Sequence, residues 1–99
     1  MFISVARNGK LTLNEPDDFK CLHVEASDGG LSRETINAAL APIAQVDDDN
    51  FWVSIAALKS LAGRDPAWER SFDAMIASVQ KLGWVSSDGQ RVRCHLKSK

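Results

Sequence analysis

The chain has little of what marks secreted, membrane-bound or cross-linked proteins. Only two of its 99 residues are cysteine, which is too few for the disulfide framework of a small secreted domain. No apolar stretch approaches the roughly 20 residues that cross a bilayer. The N-terminal MFISVARNGK does not fit a signal peptide, because Arg7 and Lys10 follow its short apolar run. We therefore expect a cytoplasmic protein that does not contact membranes.

Local motifs of enzymes and metal proteins are also missing. The sequence contains no paired CxxC, no phosphate-binding loop and no GxSxG. The acidic run Asp47–Asn50 fails the EF-hand pattern, because Trp52 stands where that pattern needs glycine and Leu58 where it needs glutamate. We expect a solvated loop here and no cofactor, and the missing motifs favour a non-catalytic protein.

The composition is that of an ordinary globular protein, with 44% hydrophobic and 25% charged residues. A chain of this length fits one domain, residues 1–99. The charge is uneven: residues 1–50 carry four basic and nine acidic residues, whereas residues 51–99 carry eight basic and four acidic ones. Such a distribution suits self-association or an acidic partner at the C-terminal end.

Residues 1–27 read as an N-terminal β segment. Two apolar-rich arms flank Asn8–Gly9, which predicts a hairpin with a two-residue type I′ turn. Alternation over residues 19–26 predicts a third strand. With the predicted turn, one face of the hairpin carries Phe2, Ala6, Leu11 and Leu13, and the other carries Ile3 and Val5.

Capping signals predict three helices. Ser32, Ser54 and Asp65 are N-cap residues, and Asp65 is followed by a favoured N1 proline. The first helix stops at Pro42 and the second at Gly63. The third carries an apolar stripe at helical spacing, formed by Trp68, Phe72, Met75, Ile76, Val79 and Leu82.

A second hairpin is predicted around Asp88–Gly89, with Val85 opposite Val92. Phe51–Val53 is long enough only for a short strand. From residue 31 the order is therefore helix, short strand, helix, helix, β-hairpin. This order resembles the winged-helix domain over residues 31–97, although no signature motif of that family is present. The resemblance implies an α+β fold, whose sheet the N-terminal segment would extend.

Winged-helix domains often bind DNA, and their reading element would correspond to residues 66–82. That helix carries two basic and two acidic side chains, whereas a helix that enters the major groove normally brings net positive charge. The strand that follows the second turn is more basic. Nucleic-acid binding through this basic wing, formed by Arg91, Arg93 and Lys97, is an alternative hypothesis.

The leading hypothesis is a protein-interaction or oligomerisation module, with a protein partner or a second copy of the chain. Small residues on an exposed helix face let another backbone approach closely. The interaction surface predicted on the third helix is Arg70, Ala74, Ala77 and Lys81. Under this hypothesis, Ala74→Glu or Ala77→Glu weakens a homodimer without unfolding the chain.

Two cysteine–histidine pairs raise the question of a metal site. Strand alternation places Cys21, His23 and His95 on one sheet face and sends Cys94 to the core face. The four residues are therefore not one site. Three ligands and a water would resemble a catalytic zinc site, so Cys21, His23 and His95 form an alternative metal site, although ordinary strand residues are favoured.

The three tryptophans, Trp52, Trp68 and Trp84, lie beside capping and stripe positions, which favours core packing for all three. The alternative is an aromatic-lined pocket between helices and sheet. In that case the protein would be a small cofactor-free enzyme, with His23 or His95 as general acid or base.

Overall fold

The protein is α+β, with three helices and a six-stranded sheet in the part of the chain that is described. The computed structural model describes residues 1–19, 22–26, 30–48 and 50–97. In chain order the elements are β1 Phe2–Val5, β2 Leu11–Asn14, β3 His23–Ala26, α1 Arg33–Leu40, β4 Ala44–Asp47, β5 Asn50–Ser54, α2 Ile55–Ala62, α3 Pro66–Gln80 and β6 Arg91–Lys97.

The strands form one sheet in the order β2-β1-β3-β6-β5-β4. The pairs β1–β3 and β3–β6 are parallel, and the other three pairs are antiparallel. Since β3 pairs with β6, the N-terminal segment extends the sheet of the remaining chain, as predicted. The parallel pairs bring together strands that lie far apart in sequence.

The N-terminal hairpin has a different turn from the predicted one. Val5 pairs with Leu11, and the Ala6 N–H donates to the Lys10 carbonyl at 2.9 Å, which leaves a three-residue loop closed by Gly9 at φ 86°. The expected two-residue type I′ turn was wrong. One extra loop residue moves Leu11 and Leu13 to the same face as Ile3 and Val5, because strand side chains alternate.

The three predicted helices and their N-caps are confirmed. Ser32, Ser54 and Asp65 each accept a hydrogen bond from the backbone N–H three residues later, which satisfies one of the orphan donors at a helix start. Gly63 ends α2 in the left-handed conformation, and its N–H donates to the Lys59 carbonyl.

One face of the sheet packs against all three helices. The paired residues Ile3 and Val24, and likewise Phe51 and Cys94, lie on this face and are fully buried. Leu82 is the exception to the predicted stripe, since α3 ends at Gln80 and the Leu82 side chain is 63% exposed. The helical residues buried in the core are Ile36, Leu40, Leu58, Trp68, Phe72 and Met75.

Strand β4, which the sequence did not predict, precedes β5, which contains the predicted strand Phe51–Val53. β4 pairs with β5 to form a tight hairpin in which Asp47 lies opposite Asn50. Asp48 takes a positive φ of 53°, a conformation that aspartate tolerates better than most residues. The acidic run is therefore partly a strand and partly a turn, rather than a loop throughout.

The second predicted hairpin has only one long arm. Val85 pairs with Val92 as expected, but as an isolated bridge, and the Arg93 N–H donates to the Trp84 carbonyl at 2.8 Å. The other arm, β6, lies between β3 and β5 inside the sheet. Within the described ranges, no helix has the length and apolarity that a membrane span requires.

Candidate functional site

The open face is the sheet surface directed away from the three helices. It is formed by the side chains that alternate with the core residues, and the described helices all pack on the opposite side. Aromatic, basic and a few acidic side chains lie on it together. They include Phe2, His23, Glu25, Gln45, Asp47, Trp52, Arg91, Arg93, His95 and Lys97.

Three rings form a row across the middle of the open face. Phe2, His23 and His95 lie opposite one another on β1, β3 and β6. The ring centroids are 5.1 Å apart between Phe2 and His23, and 5.7 Å apart between His23 and His95. His95 is exposed, whereas His23 is 9% exposed and its Nε2 lies 3.4 Å from a Glu25 carboxylate oxygen. The predicted shared face of the two histidines is confirmed.

The alternative metal site cannot be assembled from the described residues. Among them, no group of three or more His, Cys, Asp or Glu side chains is placed to hold a metal ion. Cys21, the third residue of that prediction, lies outside the described ranges. Cys94 is on the core face with no exposure, and burial raises the pKa of its thiol to about 12. Its thiol is therefore neutral, as expected for a small core residue.

The predicted basic wing is the centre of the open face. Arg91, Arg93 and Lys97 point outward from β6, which has a neighbouring strand on each side. One Arg91 N–H donates to the Trp52 carbonyl at 3.4 Å, and the Arg93 guanidinium lies 5.8 Å from the centroid of the Trp84 ring. These contacts hold the two guanidinium groups against the sheet.

The three tryptophans occupy separate places. Trp68 packs in the core, stacked on Phe72 at 5.0 Å, with its indole N–H donating to the Pro16 carbonyl at 2.7 Å. Trp84 is 40% exposed, and Trp52 is half-buried on the open face. Of the three, only Trp68 is buried in the core. They do not share a pocket: Trp84 lines a small apolar pocket with Met75 and Val79 of α3, whereas Trp52 lies beside a groove of the open face.

A groove of about 560 Å³ runs along the open face beside Trp52. The Trp52 indole N–H donates to the Asp47 carboxylate at 3.2 Å, which fixes the ring. Hydrogen bonds from the Ser86 hydroxyl and the Gln90 N–H lower the pKa of Asp88, at the other end of the groove. The described lining, which contains no histidine, is Gln45, Trp52, Val85, Ser86, Ser87, Asp88 and Arg91.

The β4 edge is a second candidate surface. β4 is the outermost strand of the sheet on its side. The Ser54 N–H donates to the Ile43 carbonyl at 2.8 Å, and because an antiparallel ladder alternates, the N–H and C=O groups of Ala44 and Val46 point outward. The Val46 side chain is 42% exposed. The alternation in AQVD was the available signal, but four residues before a turn did not distinguish strand from loop.

The interaction surface predicted on α3 is exposed. Arg70, Ala74, Ala77 and Lys81 are all accessible to solvent. Beside them, the Lys59 ammonium of α2 lies 2.9 Å from the Asp73 carboxylate, so one acidic group of this helix is engaged within the chain. The surface offers little apolar area, because its two central side chains are single methyl groups.

No protein-family model matches the chain, and no curated protein or solved structure is recognisably similar to it. The geometry of the open face, the β4 edge and α3 is therefore the basis for assigning a function.

Proposed function

We propose that the protein is a non-catalytic oligomerisation module that dimerises by pairing the β4 edges of two copies. The observation that carries this proposal is that the N–H and C=O groups of Ala44 and Val46 point outward from the sheet. The side chain of Val46 is also exposed. A strand edge of this kind is a template for another strand.

The β4 edge has few of the features that protect natural edges. Proteins commonly block them with lysine, proline or a bulge, and the AQVD sequence of β4 contains neither lysine nor proline. Its pairing with β5 runs without interruption from Ala44 to Asp47. Both edge strands contact a helix, β2 with α2 and β4 with α1. Three of the four β4 residues are exposed, against one of four in β2, so the β4 edge is the more accessible of the two.

Charge and side-chain direction select one register for the pair. If Ala44 lies opposite Val46 of the second copy, both residues contribute their outward groups and four hydrogen bonds form. The Asp47 carboxylates then lie opposite Ile43 and do not face each other. Four bonds at about 1 kcal/mol each do not by themselves offset an association cost of about 4–15 kcal/mol, so burial of apolar area, including the exposed Val46 side chain, has to supply the rest. We therefore expect a weak dimer, with a dissociation constant in the micromolar range or above.

Sedimentation equilibrium across roughly 1 µM to 1 mM chain tests this proposal. Val46→Pro removes an outward N–H and leaves the inward ladder to β5 intact, which edge strands tolerate, so this variant should stay monomeric and folded. The matched control Val46→Thr keeps both the N–H and the β-branched shape, and it should still dimerise. A wild-type chain that remains monomeric throughout the series would refute the proposal.

The same sedimentation experiment tests the alternative that the dimer forms through the α3 surface. Ala77→Glu places a charge at the centre of that surface and leaves β4 unchanged, so it should not affect dimerisation through the β4 edge. If Ala77→Glu abolishes the dimer while Val46→Pro does not, the interface is the α3 surface predicted from the sequence.

We also propose that residues 31–97 are related to winged-helix domains. This relationship is supported by the order α1, β5, α2, α3 and β6, and by the pairing of Val85 with Val92. The added β4 and the parallel neighbour β3 of β6 depart from that pattern. An experimental structure in which the three helices superpose poorly on winged-helix domains would contradict the relationship.

A further inference from the structure

The open face has a second property that dimerisation at the β4 edge does not use. Strand β6 presents Arg91, Arg93, His95 and Lys97 in succession on this face. Alternate residues of a strand are about 6.6 Å apart, which is comparable with the spacing of phosphates along an extended single strand. The basic side chains therefore form a line rather than a compact patch.

Aromatic rings lie on both sides of that line. Trp52 on β5 is directly opposite Arg93, and His95 continues into the ring row with His23 and Phe2. Proteins that bind single-stranded nucleic acid combine such elements, because bases stack on aromatic rings while basic groups contact the backbone. The groove beside Trp52, about 560 Å³ in volume, lies within the size range of small-molecule sites and accommodates a base.

Two acidic groups of the open face are engaged with its rings, whereas Asp88, which lines the groove, accepts hydrogen bonds from the Ser86 hydroxyl and the Gln90 N–H. Glu25 lies 3.4 Å from Nε2 of His23, and Asp47 accepts a hydrogen bond from the Trp52 indole at 3.2 Å. Beside them are three permanent cations, Arg91, Arg93 and Lys97. Glu25 and Asp47 thus hold rings in place. Together with Asp88 of the groove they balance the three cations, so the positive charge is concentrated along β6 rather than spread over the face.

The shape of the face selects single strands over a duplex. Six strands span about 24 Å at the usual ~4.8 Å spacing, whereas the major groove of B-DNA is only ~12 Å wide. The sheet cannot enter that groove. Helix α3 is also unsuited to that groove, because its charged side chains, Glu69, Arg70 and Asp73, sum to −1, whereas a helix that enters the major groove normally brings net positive charge.

We propose that the open face binds single-stranded nucleic acid, with Trp52 as a stacking platform and Arg91, Arg93 and Lys97 as phosphate contacts.

Fluorescence anisotropy with a labelled twelve-nucleotide oligo(dT) tests the proposal across a salt series. Three phosphate contacts give a slope of about −2 in log K against log salt, so affinity should fall roughly 20-fold between about 50 and 200 mM NaCl. Lys97→Gln should reduce that slope by about 0.7. The matched control Lys81→Gln removes a cation from the α3 side of the molecule and should change neither the slope nor the affinity.

The stacking contribution is tested separately. Trp52→Ala should weaken binding roughly 5- to 150-fold, the range observed when a base loses its aromatic partner. If circular dichroism shows that this variant does not fold, Trp52→Leu replaces it. Leucine keeps much of the apolar bulk but has no π face, so this variant should also weaken binding. Equal binding of wild type and Trp52→Leu would overturn the stacking assignment.

Three results would overturn the proposal as a whole: no binding at about 50 mM salt, where electrostatic contacts are strongest, equal loss of affinity in Lys81→Gln and Lys97→Gln, or displacement of the oligonucleotide by an equal charge of polyglutamate. The last result would show that the open face binds acidic polypeptides as well as nucleic acid. Because Val46→Pro leaves the open face intact, its binding should equal that of wild type when both are measured as monomers, so this proposal and dimerisation can fail independently.

Discussion

Trp68→Phe should destabilise the fold far more than the same substitution at the other two tryptophans. Trp68 joins α3 to the segment that follows β2, because its indole N–H donates to the Pro16 carbonyl at 2.7 Å and its ring lies 6.0 Å from the ring of Phe19. The side chain is 5% exposed. Phenylalanine keeps a ring that stacks on Phe72 but has no donor for Pro16.

The magnitude follows from two losses. An unsatisfied, partly buried carbonyl costs about 1–3 kcal/mol, and the volume vacated by the smaller ring adds about 1 kcal/mol. The total, about 2–4 kcal/mol, is a large part of the ~5–15 kcal/mol by which a domain is stable. With a urea m-value of about 1.5 kcal/mol/M, the unfolding midpoint should fall by roughly 1.3–2.7 M.

Equilibrium unfolding in urea, followed by far-ultraviolet circular dichroism, measures this difference. Trp84→Phe is the matched control: Trp84 is 40% exposed, so its substitution should cost less than about 1 kcal/mol. If Trp68→Phe and Trp84→Phe have the same midpoint, the contact between α3 and Pro16 does not stabilise the protein and the account of the core is incorrect.

Three further predictions concern single residues. Gly63→Ala should cost about 1–2 kcal/mol by urea unfolding, because φ is 57° there and the added methyl group meets only open space; Gly63→Asn should cost less, and equal costs would argue against backbone strain. In a Cys21→Ser background, the buried Cys94, whose pKa is raised to about 12, should react with a disulfide reagent at pH 8 only through unfolding, so labelling at the rate of a free thiol would contradict its burial. Folding lowers the pKa of Asp88, so its stabilisation should be present above the unfolded pKa and lost as the pH falls below about 4; the difference in melting temperature between wild type and Asp88→Asn should shrink over that interval, and a constant difference would contradict this reasoning.

Features set by neighbouring residues could be predicted from the sequence. Ser32, Ser54 and Asp65 act through hydrogen bonds that span three residues, so their side chains and the apolar spacing after them were sufficient. The pairing of Val85 with Val92 was also local. The assignment of His23 and His95 to one face needed only strand alternation, together with the assumption that their strands share a sheet.

Features set by distant contacts could not be predicted. The position of β6 between β3 and β5 depends on a parallel pairing of His23 with His95, across most of the chain. That pairing turned an expected projecting wing into the centre of the open face. The first hairpin shows the same limit at short range, because a single extra loop residue before Lys10 reversed the faces of Leu11 and Leu13.

The β4 edge was missed because neither its strand nor its place in the sheet has a strong local signal. Ala44–Asp47 is short and ends in an acidic turn. Whether a strand is central or at an edge depends on which strands pair elsewhere.

Backbone amide hydrogen exchange, followed by NMR across a concentration series, distinguishes pairing of the β4 edges from other modes of dimerisation. If the β4 edges pair, the Ala44 and Val46 amides, which point outward from β4, should gain protection as the chain concentration rises. The exposed side of α3 should show no corresponding change. Dimerisation without added protection at Ala44 and Val46 would contradict pairing of the β4 edges.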